Sequence, residues 1–171
     1  MYLIQNYLSN RKQCVKSGTA LSTCQDIYKG IPQGSILGPV LLNIFINDIF
    51  YFIPDSSLYN YADDNTLSYS GYDLDKIINT LEKDSRNLIN WLTSNQMKVN
   101  PDKFQAIAIG KNTQSKNISF NLNGNIKKTE DEVKLLGVTI DYELKFNSHI
   151  TNICRKASRQ LNVLKRIIII I

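Results

Sequence analysis

Apolar residues change their spacing along this chain, and each change marks an element. Tyr2, Leu3 and Leu8, with Ile4 and Tyr7, keep helical spacing, so residues 1–10 predict the tail of a helix. Gln13–Val15 and Thr23–Tyr28 predict two short strands around a Ser17–Gly18 turn. Leu37, Val40, Leu41, Ile44, Phe45, Ile49 and Phe52 recur every three or four residues, which predicts one helix with Pro39 tolerated in its first turn. Leu58 and Tyr59 then lead into Tyr61-Ala62-Asp63-Asp64, and residues 66–70 follow as a second strand-like run. Two strands joined by a tight Asp-Asp-Asn turn are expected there, because these residues tolerate turn geometry.

The second half is read the same way. Leu74, Ile77, Ile78, Leu81, Leu88 and Leu92 form one face of an amphipathic helix from Asp73 to Asn95, with Trp91 as a core anchor. Residues 99–103 predict a turn, Phe104–Ile109 a strand, and Lys111–Asn117 a polar loop. Asn123-Gly124 predicts a hairpin between residues 118–122 and 125–128. Val133–Ile140 reads as one buried strand. Ser148–Ile168 reads as a helix with Ile150, Ile153, Ala157, Leu161 and Leu164 on one face and bases on the others.

Composition narrows the class. With 171 residues, 43% hydrophobic and 20% charged, the chain suits one ordinary globular domain or part of a larger one. The Ile167–Ile171 run falls far short of the roughly 20 residues that span a bilayer, so no membrane partner is expected. The opening residues have no signal-peptide pattern. Cys14, Cys24 and Cys154 have no metal-ligand spacing and are odd in number, so reduced intracellular thiols are expected. His149 is the one histidine, which excludes a multi-histidine metal site. The net charge of +5 is unevenly spread: residues 1–30 carry four bases to one acid and residues 31–110 five to nine. Residues 111–145 carry six bases to five acids, and residues 146–171 five to none. An acidic middle between basic ends suits a cation site serving a polyanion.

Three segments carry candidate chemistry. Asp63 and Asp64 place two negative charges together, a repulsion relieved by protonation or by a bound cation. Hard oxygen ligands with room for phosphates suit Mg²⁺. In Gly30-Ile31-Pro32-Gln33-Gly34-Ser35, glycines let backbone approach a ligand, Pro32 stiffens the turn, and Gln33 donates and accepts. Ser35 can cap the helix that follows, whose N-terminus favours an anion. Lys103, at the mouth of the expected 104–109 strand, could meet a phosphate or simply be solvated.

Read together, YLSNRKQCV, GIPQGSILGPVLLNIFINDI, YADD, WLTSNQMKVNPDKFQAIAIG, VKLLGVTID and ICRKASRQLNVLKRI resemble the reverse transcriptases of non-LTR (LINE-type, jockey-like) retrotransposons, in that family's order and over nearly the whole chain. The resemblance implies an α+β fold: part of the palm of a right-handed polymerase over residues 1–145, an antiparallel sheet backed by helices, with the thumb beginning at residues 146–171. It implies two Mg²⁺ ions in the intact enzyme, with Mn²⁺ an alternative. Its partners would be an RNA template, a DNA primer and dNTPs, and its location intracellular, in nucleus or cytoplasm. By the same resemblance, Asp63 and Asp64 hold metal and Lys103 approaches the pyrophosphate leaving group. Gly30, Pro32, Gln33, Gly34 and Ser35 contact template and incoming nucleotide, while Tyr61 and Ala62 lie where the primer terminus passes. Leu135, Leu136 and Gly137 match the primer-grip turn. Arg155, Lys156 and Arg159 stand on the thumb helix that tracks the duplex backbone.

One departure accompanies the matches. The family's first catalytic aspartate precedes the YLSNRKQ segment, so the fingers and that part of the palm are expected to lie outside this chain. Asp26 and Asp48 are the nearby spare acids, and neither is expected to replace it. A fragment inactive in DNA synthesis by itself is therefore expected. The alternatives are a non-catalytic nucleic-acid-binding remnant and a fragment of an intron-type reverse transcriptase.

Overall fold

The computed structural model describes residues 2–32, 34–110 and 117–168, with side chains of the last helix up to Lys165. The expected polar loop over Lys111–Asn117, Asn117 excepted, and the placement of Gln33 thus lie outside the described residues. The chain forms two compact units, residues 1–67 and 68–171. Both mix helices with short strands, the α+β class. Among the described residues the strands pair as five two-stranded sheets rather than one continuous sheet, two of them nested on one long hairpin and the other three each closed by a hairpin of its own.

The first unit opens with α1 (Tyr2–Leu8), which ends where Ser9 donates to the Gln5 carbonyl and Asn10 turns left-handed at φ 53°. A long hairpin follows: β1 (Arg11–Gln13) pairs antiparallel with β4 (Gln25–Ile27), and β2 (Lys16–Ser17) with β3 (Ala20–Leu21). Gln13 opposes Gln25 and Lys16 opposes Leu21, so the returning arm holds one extra residue, a bulge. Extending the Gln13–Gln25 register by one residue sets Cys14 opposite Cys24, and the two form a disulfide with Cα atoms 4.4 Å apart. This corrects the expectation of three reduced thiols. A ten-residue spacing carries no redox signature in one dimension; antiparallel pairing is what brings the two sulfurs together. Cys154 is free and exposed.

After the Gly30–Ser35 loop, α2 runs Leu37–Ile46 and tightens into a 3₁₀ helix over Asn47–Phe52. The expected single helix to Phe52 therefore ends six residues early. Its last apolar positions, Ile46, Ile49 and Phe52, are three apart, which is the 3₁₀ repeat. Among the described residues of this unit, Ile46, Ile49 and Ile53 are the buried hydrophobics. By contrast Leu37, Val40, Ile44 and Phe45 on α2 are about half exposed or more, although the helix is apolar nearly all round. The unit closes with β5 (Ser57–Tyr61) paired to β6 (Asp64–Ser68), the latter reaching the unit boundary.

The second unit is organised on α3 (Leu74–Ser94). Asp73 caps it by accepting from the backbone N–H of Asp75 at 3.0 Å and Lys76 at 3.3 Å, placing a carboxylate at the positive end of the helix. Leu88 and Trp91 are buried, as the apolar face predicts, and Asp84 and Ser85 are buried beside them on the same helix. The helix packs on β7 (Ser119–Leu122), where the Asn121 N–H donates to Glu82 Oε1 at 2.6 Å. β7 and β8 (Asn125–Lys128) form the hairpin expected from Asn123-Gly124, whose φ values of 52° and 89° suit a two-residue turn. Ile118, Phe120 and Val133 complete the buried apolar set.

Two expectations are corrected in this unit. Residues 104–109 form no strand: the Glu130 N–H donates to the Ala106 carbonyl, and the Lys134 N–H to Gln105 Oε1, but these bonds do not build a ladder. Residues 133–140 are not one strand but a hairpin of β9 (Glu132–Leu135) and β10 (Val138–Asp141). Its turn residues, Leu136 and Gly137, have φ of 48° and 86°, the combination a two-residue turn demands, though Leu136 is not a residue that announces one.

The loop after β10 sets the start of α4 (Asn147–Ile168). Asp141 accepts from the backbone N–H groups of Glu143, Lys145 and Phe146, at 3.1, 3.0 and 2.5 Å. The Lys145 bond leads in holding its carboxyl below the ordinary value of 3.8. The first turn of α4 is tied back to the hairpin, since Ser148 donates to Glu132 and the Thr139 N–H donates to His149 Nδ1. From Ile150 to Lys165 every described residue is exposed. Among the described residues no helix is long and apolar enough to cross a membrane.

Candidate nucleic-acid and metal site

The acidic turn sits one residue earlier than its composition suggests. Tyr61 ends β5, Asp64 begins β6, and the turn proper is Ala62–Asp63, so Asn65 is a strand residue. Ala62 has φ 54°. For a residue with a Cβ that conformation costs about 1–2 kcal/mol. Side-chain amides offset the cost: Asn60 Nδ2 donates to the Ala62 carbonyl at 3.2 Å and to Asn65 Oδ1 at 2.9 Å, while Asn65 Nδ2 reaches the Asp63 carbonyl at 3.4 Å. Asp63 and Asp64 are both exposed, as are Tyr61 and Ala62 before them. Tyr61 shares one face of β5 with the equally exposed Tyr59, two residues back.

Two exposed carboxylates fit a hard divalent cation. Mg²⁺ commonly takes one or two protein carboxylates and completes its shell with water and substrate phosphate. They are part of a donor set only: among the described residues no group of three or more acids, histidines or cysteines could hold a metal. Asp26 is engaged elsewhere, paired with Lys12 across β1 and β4 at 3.7 Å.

The Gly30–Ser35 loop is fixed from both sides. Gly30 and Gly34 have φ of 76° and 77°, which glycine adopts without steric cost. Ser35 Oγ donates to the Pro32 carbonyl at 2.9 Å and accepts from the Gly38 N–H at 3.0 Å. That is the capping bond expected of Ser35. A Cβ on Gly38 would stand 3.0 Å from Ser35 Oγ and 3.4 Å from the Pro32 carbonyl, so glycine there lets the loop lie close on the helix start. On the other side Arg11 bridges two segments, with Nε donating to the Leu8 carbonyl at 3.1 Å and Nη2 to the Gly30 carbonyl.

The remaining candidates belong to the second unit. Lys103 is exposed in a 3₁₀ turn, Pro101–Lys103, whose start is capped by Asn100 accepting from the Asp102 N–H at 3.1 Å. Leu135–Gly137 is the tip of the β9–β10 hairpin, and Leu136 is 55% exposed there. Arg155, Lys156 and Arg159 are exposed on α4. The structure therefore gathers the acidic turn and the glycine loop into one unit, and Lys103, the hairpin tip and the basic helix into the other.

Residue-by-residue reading missed Arg11, Gly38, Asn60 and Asn65. Asn60 and Asn65 stand symmetrically around Ala62–Asp63, a signal that was present in the sequence. Arg11 acts on a carbonyl nineteen positions away, and nothing local marks it.

Comparison with known proteins gives the site its context. Residues 2–140 match the family described as reverse transcriptase (RNA-dependent DNA polymerase). The chain is 29% identical over 171 residues to the probable RNA-directed DNA polymerase from transposon BS of Drosophila melanogaster, covering 95% of this chain and 19% of that protein. It is 28% identical over 161 residues to the RNA-directed DNA polymerase from mobile element jockey of the same species, covering 90% of this chain and 18% of the relative. It is 27% identical over 170 residues to the probable RNA-directed DNA polymerase from transposon X-element of the same species, covering 88% of this chain and 17% of that protein. The chain thus spans about a fifth of the length of these relatives. No solved structure matches it. The matched span holds the glycine loop, the acidic hairpin, Lys103 and the Leu135–Gly137 turn in one collinear run, and the chain belongs to the reverse transcriptase family.

Proposed function

We propose that this chain is a fragment of a non-LTR retrotransposon RNA-directed DNA polymerase, part of the palm over residues 1–145, with the thumb beginning at residues 146–171. The observation that carries this is the family match over residues 2–140, with Asp63 and Asp64 at a hairpin tip inside it. Asp63 and Asp64 would hold Mg²⁺, or Mn²⁺ in its place. Such an ion, when bound, activates the primer 3′-hydroxyl and neutralises charge on the transferred phosphate.

The chain's own residues do the rest by position and charge. Tyr61 and Ala62, exposed beside the carboxylates, lie along the path of the primer terminus. Gly30, Pro32, Gln33, Gly34 and Ser35 bring backbone close to template and incoming dNTP. Lys103 supplies a cation for the pyrophosphate leaving group. Leu135, Leu136 and Gly137 press on the primer strand. Arg155, Lys156 and Arg159 neutralise phosphates of the RNA–DNA duplex. The half-exposed apolar surface of α2 accords with packing inside a polymerase about five times longer.

Two carboxylates are half of what a two-metal clamp needs, so the purified chain is expected to bind primer–template without extending it. A chimaera tests the reading. The jockey polymerase carrying this chain in place of its matching segment should synthesise DNA, and Asp63→Asn should abolish that synthesis. Synthesis unaffected by Asp63→Asn would overturn the assignment. Binding of primer–template by the chain, with no synthesis by the chimaera, would favour the non-catalytic nucleic-acid-binding reading, which the unopposed bases of residues 146–171 support.

A further inference from the structure

The acidic turn is bracketed by two asparagines, Asn60 two residues before Ala62 and Asn65 two residues after Asp63. Asn60 spends both amide hydrogens there, one on the Ala62 carbonyl and one on Asn65 Oδ1. Asn65, so engaged, donates its own amide to the Asp63 carbonyl. Both central carbonyls of the turn are therefore held by side chains from the flanking strands. Asn60 and Asn65 are half-buried, whereas all four residues between them are exposed. The turn carries no glycine, yet Ala62 sits at φ 54°.

We propose that Asn60 and Asn65 are positioning residues, a coupled amide lock that fixes the Ala62–Asp63 peptide and through it the directions of the Asp63 and Asp64 carboxylates toward a divalent cation. The proposal rests on the assignment of Asp63 and Asp64 as the metal-holding pair. Neither asparagine touches the reacting atoms. An exposed two-residue turn with an alanine in the left-handed region would otherwise relax, and each relaxed conformer aims the carboxylates differently. A metal site tolerates errors of only about 0.5 Å in its ligands. Removing groups that orient ligands typically weakens metal affinity by about 10–100-fold. The lock lies at the low end of that range because it acts through the backbone. Its two amides share one hydrogen bond, so their effects must overlap.

The test uses the full chain with Asn60→Ala, Asn65→Ala and the double variant. Hydrogen exchange of the 58–68 segment is read alongside Mn²⁺ affinity by electron paramagnetic resonance, with Asp63→Asn defining the site. Each single variant should speed exchange at residues 62–65, leave the rest of the first unit protected, and weaken Mn²⁺ binding about tenfold. The double variant should be little worse than either single. Adding Ala62→Gly to Asn60→Ala should recover part of the Mn²⁺ affinity, because glycine accepts the positive φ without a lock. Unchanged exchange and affinity in both singles would overturn the proposal, as would fully additive losses. If Mn²⁺ binding in the unaltered chain survives Asp63→Asn, the metal assignment is what fails, and exchange at 62–65 alone decides on the lock. If Asn60→Ala unfolds the first unit by circular dichroism, Asn65→Ser, which removes both the arm to the Asp63 carbonyl and the acceptor of the Asn60 amide while leaving Asn60 on the Ala62 carbonyl, carries the same measurements.

Discussion

The basic helix offers a quantitative test of nucleic-acid binding. Arg155, Lys156 and Arg159 are exposed on α4 and, at 3.6 residues per turn, fall within an arc of about 100°. Ile150, Ile153, Leu161 and Leu164 occupy the opposite arc, and residues 146–171 contain no acid to compensate the bases. Arg155 and Arg159 stand about 6 Å apart along the axis, close enough to serve neighbouring phosphates. Replacing all three bases with Gln removes charge while keeping good helix formers, so circular dichroism should not change. If each base neutralises one phosphate of a duplex, the slope of log affinity against log salt should become shallower by about 0.9 per residue, about 2.7 in all. Between 50 and 200 mM salt the unaltered chain should then lose about forty times more affinity than the variant does. Fluorescence anisotropy of a labelled RNA–DNA duplex, titrated at four salt concentrations, gives both slopes. Parallel lines would refute the reasoning: the bases would then solvate the helix and nothing more. A uniform drop with unchanged slope would point to packing of the arginine stems rather than to phosphate contact.

Other consequences can be checked on the same protein. Unfolded without reductant, the chain should show one reactive thiol, Cys154, and three after reduction; three before reduction would remove the Cys14–Cys24 bridge from the structure. Replacing both bridged cysteines with Ser should lower stability by about 2.7 kcal/mol, the chain-entropy value for a loop of this sequence separation, seen as a lower urea midpoint. The Asp141 carboxyl titrates below its ordinary 3.8 because the Lys145, Phe146 and Glu143 N–H groups bind its charged form. Its contribution is therefore fully present above the unfolded value and lost as pH falls through the folded one. Acid titration below pH 4 should destabilise the start of α4 in the unaltered chain more than in Asp141→Asn, and coincident curves would contradict this role. Trp91→Ala should cost about 3–5 kcal/mol, because a side chain left only 5% exposed is removed from the core of the second unit. A urea midpoint close to the parent's would show that Trp91 is not packed as described.

Much of the architecture was legible before any coordinates. The apolar stripe of α3, the Asn123-Gly124 hairpin and the amphipathic last helix follow from periodicity and turn chemistry, which act between residues a few positions apart. Ser35 was readable for the same reason, since its capping bond spans three residues. The motif order along the chain was enough to identify the family. What the one-dimensional pattern could not separate were states with nearly equal local preference. A helix ending in residues three apart fits both helical periods over one turn, so α2 was drawn too long. An apolar run such as residues 133–140 can be one strand or two, and only pairing of Glu132–Leu135 with Val138–Asp141 puts Leu136 and Gly137 in a turn. The extended segment 104–109 has strand composition, yet its contacts do not make a ladder. Three further features depend on contacts between groups that no local rule couples: the Cys14–Cys24 pair, the reach of Arg11 to Gly30, and the exchange of amides between Asn60 and Asn65. The sequence by itself thus determined the family this chain belongs to and the order of its motifs. Tertiary structure decided how those motifs are held, because side-chain partners are chosen by distance in space, and spacing along the chain sets that distance only inside helices and tight turns.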